Sequence, residues 1–238
     1  VFLCQGIGSR KWQVSSAAID EDSAASDDLA LLEPFTGREY LARQGDVLYL
    51  PPGVAHWGTA RRPCLTYSIG MRAPLLSDLG RESPAPGRPS PLYGDPDLAP
   101  DEAQPGRISV RAVERALRQL ERPRGDIARV AALLGGSVTE TKPWLTPKGV
   151  DEREARALWA DRSPVAAWPV HGMARIAFDD RTAYANGRSY RLPEGGAGLL
   201  ATICRQRRLD PSDVRDDDLE ALVIWLIASG ALDIPGNM

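Results

Sequence analysis

Short apolar runs separated by Gly- and Pro-containing turns occupy the first third of the chain. Residues 1–5 and 10–14 predict two strands joined as a hairpin through a glycine-containing turn. Residues 47–50 form a continuous apolar strand, and Pro51-Pro52-Gly53 follows as a stiff turn, because proline fixes φ and glycine permits positive φ. His56 comes three residues after this turn.

Residues 65–71 alternate with a period of two, which is typical of a strand with two different faces. One face carries apolar side chains: Leu65, Tyr67, Ile69 and Met71. The other face carries the hydroxyls of Thr66 and Ser68. An apolar outer face with small hydroxyls inside suits a barrel around a polar ligand. Several short strands at this spacing predict a sandwich or jelly-roll barrel.

The pattern changes to a helical period after a proline-rich stretch at residues 76–106, which we interpret as a linker. Ser109 is predicted to cap a helix running to about Arg122. Asp126 is predicted to cap a second helix, Ile127 to Leu134, which Gly135-Gly136 would end. Asp151 and Glu154 resemble a capping box for a third helix, which Pro164 would stop.

The last block combines a hairpin with two helices. Asn186-Gly187 is a strong type I′ turn signal between strands at 182–185 and 188–192. Helices are predicted over 198–208 and 216–229, the second with an apolar stripe and with Gly230 as its stop. The mixture predicts a small α+β domain of winged-helix type.

The fold class expected is therefore mainly β plus α, in four parts. These are half of a barrel (1–75), the linker (76–106), a helical segment (107–165) and the winged-helix-like domain (166–238). Five side chains could form a dimer face or pack against the barrel: Leu117, Leu120, Leu133, Leu134 and Trp159.

Charge and composition exclude several classes of protein. The net charge of −3, and of −2 over residues 166–238, opposes direct nucleic-acid binding, which usually needs a basic face. No apolar run approaches the ~20 residues that span a bilayer. Three cysteines without CxxC spacing predict reduced thiols in a cytoplasm. The acidic residues at 20–28 are expected to be a solvated loop, and His171 is expected to be structural or exposed.

The spacing Gly45-x5-Pro51-x-Gly53-x2-His56 resembles the second conserved motif of the cupin superfamily. The usual asparagine four residues further on is Ala60 here. A neutral imidazole is a good ligand for divalent iron, zinc or copper, so His56 is the candidate metal ligand. The alternative is a histidine that only forms hydrogen bonds within a turn.

Residues Val1–Trp12, Gly45–His56 and Leu65–Pro74 resemble JmjC-type cupins, and the whole chain is similar to the bacterial ribosomal oxygenase family. The resemblance implies a partial double-stranded β-helix, a helical dimerisation region and a C-terminal winged-helix-like domain. It also implies hydroxylation of a ribosomal protein, on an arginine of the large subunit, with Fe(II) as cofactor and 2-oxoglutarate as cosubstrate. A homodimer is the expected assembly.

The same resemblance assigns the site. His56 matches the distal histidine of an iron triad, and Arg10 matches the basic residue that pairs with the far carboxylate of 2-oxoglutarate. Ser68, and less directly Thr66, would add a hydroxyl to that carboxylate. Strand alternation puts Lys11 on the opposite face from Arg10. Trp57 is expected in the core, or else beside the metal or at the substrate mouth.

The remaining two iron ligands, a His-x-Asp pair, would precede Val1, and the chain as written is predicted to be an inactive fragment. Two other readings stay open. One is a non-catalytic cupin that binds or regulates, and the other is a cupin with different metal chemistry, such as an isomerase or a thiol dioxygenase. The sequence upstream of Val1 would discriminate these three hypotheses. A His-x-Asp motif would favour the hydroxylase, and a His-x-His motif would favour other cupin chemistry. The absence of both motifs would favour a binding protein.

Overall fold

The computed structural model describes residues 1–18, 35–71, 73–80, 90–98, 104–121 and 127–235. They form two compact units, Val1–Arg72 and Ala73–Met238, of mixed α/β structure with small antiparallel sheets. Two predictions lie outside the described residues, the cap at Asp126 and the acidic loop at 20–28. The division of the sequence into four parts stays a prediction.

The first unit consists of two three-stranded antiparallel sheets. In the first sheet the central strand is β1 and its neighbours are β4 and β6: Phe2–Ile7, Val47–Tyr49 and Leu65–Ile69. In the second sheet the central strand is β2 and its neighbours are β3 and β5: Ser9–Ala18, Gly37–Arg43 and Val54–Ala60. Four buried apolar residues make one small core: Leu3 of β1, Trp12 of β2, Ala42 of β3 and Leu50, which directly follows β4.

The predicted hairpin between the first two strands is wrong, because β1 and β2 belong to different sheets. Gly8 lies between them with φ 69°, and a Cβ there would lie 2.9 Å from the Pro63 carbonyl oxygen. Only glycine fits such a crossing. Each strand instead pairs on both sides with strands distant in sequence.

The second unit contains five α-helices and two small sheets among its described residues. The helices are α1 (Val110–Gln119), α2 (Ile127–Thr139), α3 (Glu152–Ala160), α4 (Gly196–Gln206) and α5 (Asp217–Ala228). The strands are β7 (Trp168–Pro169), β8 (Ile176–Phe178), β9 (Thr182–Ala185), β10 (Arg188–Arg191) and β11 (Arg208–Leu209). β9 pairs with β8 and β10, and β7 pairs with β11.

Local signals predicted the ends of several of these elements. The Ser109 hydroxyl accepts a hydrogen bond from the Ala112 N–H, and the Asp151 carboxylate accepts one from the Glu154 N–H, so both predicted caps are confirmed. Asn186 and Gly187 have φ 51° and 79°, as a type I′ turn requires. Gly230, with φ 73°, follows α5 as predicted.

The predicted stop of α2 at Gly135-Gly136 is wrong, since the helix continues to Thr139. Gly135 is buried against the ring of Tyr184 on β9, where a Cβ would overlap the ring atoms. Its lack of a side chain therefore allows close packing of the helix on the sheet and does not end the helix. The Thr139 hydroxyl donates to the Gly135 carbonyl oxygen at 2.7 Å, which supports the added turn.

Four of the five residues suggested as a dimer face are buried inside the second unit, so a dimer face made of these five side chains is wrong. Leu117, Leu120 and Leu134 belong to one core with Leu133 half-buried at its edge, and Trp159 belongs to a second core. Apolar side chains on helix faces predict burial but do not identify the partner. No helix among the described residues is long and apolar enough to cross a bilayer.

Candidate functional site

His56 lies on β5, directly opposite Val14 of β2. The stiff turn that precedes β5 includes Gly53, which has φ 75°. The imidazole of His56 is exposed to solvent. Its Nδ1 lies 3.2 Å from the Val54 carbonyl oxygen. A proton on Nδ1 would donate to that oxygen and leave the lone pair of Nε2 free, which is the tautomer that a metal ligand needs.

Arg10 lies on the same face of the same sheet as His56. It is opposite Ala42 on one side and Ala60 on the other, so small neighbours leave room beside its side chain. Its Nε is buried and forms no hydrogen bond within the described part of the chain. A buried donor without a partner costs free energy, which an anionic ligand would recover.

Lys11 is on the opposite face from Arg10, as the alternation predicts. Its Nζ forms an ion pair with Glu39 at 2.6 Å, so its charge is already matched on the outer surface of the sheet. Of these two neighbouring cations, Arg10 is therefore the one available to a ligand on the inner face.

Trp12 lies between Arg10 and His56 and was not identified from the sequence as a site residue. Its ring centroid lies 5.9 Å from that of His56, and the Arg10 Cζ lies 5.2 Å from the ring. The indole packs over Gly58, where a Cβ would lie 2.6 Å from the ring. The available signal was the spacing of two residues from Arg10, which puts both side chains on one face.

The two hydroxyl candidates lie on the other sheet of the unit. Thr66 donates its hydroxyl proton to Oε1 of the buried Gln5 at 2.8 Å, so that hydroxyl already has a structural partner. Ser68 is exposed and opposite Leu3 of β1. The role of Ser68 stays a prediction.

Trp57 is not in the core, and its side chain lies on the opposite face of the sheet from His56, so the expectations of a core position and of a position beside the metal are wrong. A position at the substrate mouth stays a prediction. Trp57 pairs with Gln13, one residue out of step with His56, and its side chain is 63% exposed on the outer face. Trp12 takes the core position instead. His171, in the second unit, accepts a hydrogen bond from the Met173 N–H at 3.0 Å, in agreement with a structural role.

Within the described ranges, no group of three or more His, Cys, Asp or Glu side chains is placed to hold a metal ion. His56 is thus a single candidate ligand, and a tight site needs partners from elsewhere. Along β2, Arg10 and the residue opposite His56 are four positions apart, or about 13 Å at the usual rise of a strand. The inner face therefore carries the guanidinium of Arg10 at one end and the imidazole of His56 at the other.

Comparisons with known proteins show what this chain is similar to. A family model for the JmjC domain matches residues 1–79. The ribosomal protein uL16 3-hydroxylase of Escherichia coli is 31% identical over 125 residues, which cover 50% of this chain and 33% of that protein. A probable ribosomal oxygenase of Haemophilus influenzae is 37% identical over 86 residues, covering 33% of this chain and 20% of that protein.

The fold is similar to that of YcfD, a ribosomal oxygenase from Escherichia coli whose structure was solved in complex with cobalt and 2-oxoglutarate. The TM-score is 0.58 at 21% identity, covering 98% of this chain and 63% of that one. The chain spans a third or less of the length of the two curated relatives. The resemblance to a JmjC-domain protein of the ribosomal oxygenase type is thus confirmed.

Proposed function

We propose, from the JmjC match over residues 1–79, that the complete protein is an Fe(II)- and 2-oxoglutarate-dependent oxygenase that hydroxylates a ribosomal protein. The observation that carries the proposal is the buried, unpartnered Nε of Arg10 on the same sheet face as His56. This pair provides one end of a dicarboxylate site and one ligand of a metal site.

The iron would be held by His56 through Nε2 and by a His-x-Asp pair supplied from sequence before Val1. Two histidines and one carboxylate on one face leave three positions open, which is the arrangement of non-haem Fe(II) oxygenases. The hydrogen bond from Nδ1 to the Val54 carbonyl oxygen would orient the imidazole for this role.

The 2-oxoglutarate would place its far carboxylate on Arg10, because a planar guanidinium binds a carboxylate with two parallel hydrogen bonds. Ala42 and Ala60 beside Arg10 leave space for the carboxylate, and Trp12 excludes water from one side. Ser68 would contribute a hydroxyl from the facing sheet. Iron and 2-oxoglutarate, when bound, supply the oxidation in which one atom of O2 enters succinate and the other enters the substrate, with loss of CO2.

The finer features of the proposal come from the resemblance of the sequence to the bacterial ribosomal oxygenase family, and one relative is named as a hydroxylase of the ribosomal protein uL16. We infer an arginine of a large-subunit ribosomal protein as the hydroxylated residue and a homodimer in the cytoplasm as the working form. The first unit would be part of a double-stranded β-helix, and β8 to α5 a winged-helix-like domain used for protein contact.

One observation favours a second candidate, a cupin that binds or regulates without catalysis. His56 is the single candidate ligand, and no cluster of three metal-binding side chains exists among the described residues. If the sequence before Val1 contains no His-x-Asp, this second candidate replaces the first.

The test uses the full-length protein and measures Co(II) binding, 2-oxoglutarate binding and succinate formation. His56→Ala is expected to abolish succinate formation and to weaken Co(II) binding, because it removes one of three ligands. Arg10→Ala is expected to weaken 2-oxoglutarate binding about 10- to 150-fold, since a hydrogen bond to a charged group contributes roughly 1.5–3 kcal/mol.

Lys11→Ala is the matched control, because it removes a cation one residue away on the opposite face. It should leave both affinities and succinate formation unchanged. Unchanged turnover in His56→Ala would refute the ligand assignment. Equal effects of Arg10→Ala and Lys11→Ala on 2-oxoglutarate would show that Arg10 has no special role.

A further inference from the structure

We propose that Trp12 is the residue that determines which chain length of 2-oxo dicarboxylate the site accepts. Its indole would act as a rigid spacer between the guanidinium that holds one carboxylate and the imidazole that holds the metal. The inference rests on the proposed function and adds to it a specificity determinant on β2.

The indole is in contact with both ends of the site. The Arg10 Cζ lies 5.2 Å from its ring, within the range of a cation–π interaction. The His56 ring lies 5.9 Å away at an interplanar angle of 51°, a tilted packing. Because one side chain packs against both groups, the indole restrains where the guanidinium and the imidazole can lie within the spacing that the strand provides.

Trp12 is itself held from several directions. It is 6% exposed and packs with Leu3, Ala42 and Leu50 in the core of the unit. Gly58 lies directly opposite on β5, and even one methyl group there would come within 2.6 Å of the ring. The close fit on a glycine prevents the indole from sinking toward the sheet, so its position is defined by packing.

Two buried donors on this face lack partners within the described part of the chain, the Arg10 Nε and the Trp12 Nε1. Buried polar groups are normally satisfied, so two such donors two residues apart indicate that a polar ligand belongs against this surface. An anion fits, because both groups can only donate hydrogen bonds.

An arginine has a long flexible stem and could follow carboxylates of different reach. Stacking on a fixed indole restrains the stem and defines one position for the guanidinium. A dicarboxylate longer by one methylene would then have to displace the ring or the metal-bound end. Rigid pockets discriminate one methylene by about 10- to 200-fold.

The experiment measures binding of 2-oxoglutarate, with five carbons, and 2-oxoadipate, with six, to the full-length protein loaded with Co(II) in the absence of O2. The wild type is expected to favour the five-carbon acid by about 10-fold or more. Trp12→Leu is expected to bring the two affinities within about 3-fold of each other, with the Co(II) affinity changed by less than about 3-fold. Trp12→Phe, which retains a ring, should preserve part of the preference.

Trp57→Leu is the matched control, because it makes the same change on the outer face of the same sheet, where the side chain is 63% exposed. It should keep the wild-type preference. Should Trp12→Leu fail to fold, Gly58→Ala displaces the indole without removing it, and it should also reduce the preference.

Retention of the wild-type preference in the folded Trp12 and Gly58 variants would overturn the inference while leaving the proposed function intact. A parallel loss of Co(II) and of both acids would assign Trp12 a purely structural role and would also overturn it. If the Co(II)-loaded wild type binds neither acid, the proposed function fails, and this inference fails with it.

Discussion

Gly135 and Gly136 are adjacent residues of α2 with opposite surroundings, and alanine at each should have opposite effects on stability. At Gly135 an added Cβ would lie 2.5 Å from the Tyr184 Cδ2 and closer still to Cε2 and Cζ. At Gly136 nothing lies within 4 Å of the added Cβ. Both residues lie inside the helix, so both substitutions gain the same helix propensity.

The expected magnitudes follow from these contacts. Replacing a glycine inside a helix by alanine stabilises the folded protein by about 0.8–1.0 kcal/mol. This is the effect predicted for Gly136→Ala. At Gly135 the Tyr184 ring must shift by about 1 Å to reach normal contact distance. That ring is 1% exposed, and its hydroxyl donates to Asp179 Oδ2 at 2.9 Å, so it is not free to swing away. Overpacking of this kind costs about 1–3 kcal/mol.

The difference between the two variants isolates the clash, because the propensity gain cancels. Gly135→Ala should therefore be less stable than Gly136→Ala by about 1–3 kcal/mol. Urea unfolding followed by far-UV circular dichroism measures this difference, since the α-helices of the described residues all lie in the second unit. Equal stability of the two variants would refute the packing of Gly135 on Tyr184 and would favour a helix that ends at the glycines.

Two further predictions concern the two units separately. Burial raises the pKa of the Cys204 thiol from 9.0 to about 11. Between pH 9 and pH 11 the unfolded chain releases this proton while the folded protein still holds it. The contribution of the thiol to the free energy of unfolding is therefore complete below pH 9 and is lost as the pH rises from 9 to 11. By pH 10 the free energy of unfolding should have fallen by about 1.4 kcal/mol. The urea midpoint of Cys204→Ala should therefore depend less on pH than the urea midpoint of Cys4→Ala. In the first unit, Thr66→Val should lower the free energy of unfolding by about 1–3 kcal/mol. The substitution removes the hydroxyl that donates to Oε1 of Gln5, a residue that is only 2% exposed. Ser68→Ala, at an exposed position on the same strand, should change stability by less than about 0.5 kcal/mol, and an equal effect of the two substitutions would contradict the role of Thr66.

The sequence by itself determined the features that depend on a few neighbouring residues. The Ser109 and Asp151 caps and the Asn186-Gly187 turn each arise from side-chain chemistry within three or four positions. The apolar and hydroxyl faces of β6 follow from strand alternation in the same way. The resemblance to a JmjC domain likewise came from short motifs around His56, and it was confirmed.

Tertiary structure decided every feature that depends on which distant residues meet. The first two apolar runs look like a hairpin, but the register that buries Leu3 and Trp12 in one core assigns them to separate sheets. Gly135 looks like a helix stop, and only the Tyr184 ring on β9 explains why a glycine is needed inside the helix. The position of an aromatic ring 49 residues away cannot be read from local propensity.

In the candidate site, too, some residues could be identified from the sequence and others only from the tertiary structure. His56 and Arg10 could be named from the sequence because each stands at a fixed offset in a motif. The spacing of two residues puts Trp12 on the same face as Arg10, but its packing against His56 became visible only from the pairing of β2 with β5. Trp57 directly follows His56, so strand alternation puts its side chain on the opposite face, and its 63% exposure shows that it lies outside the core.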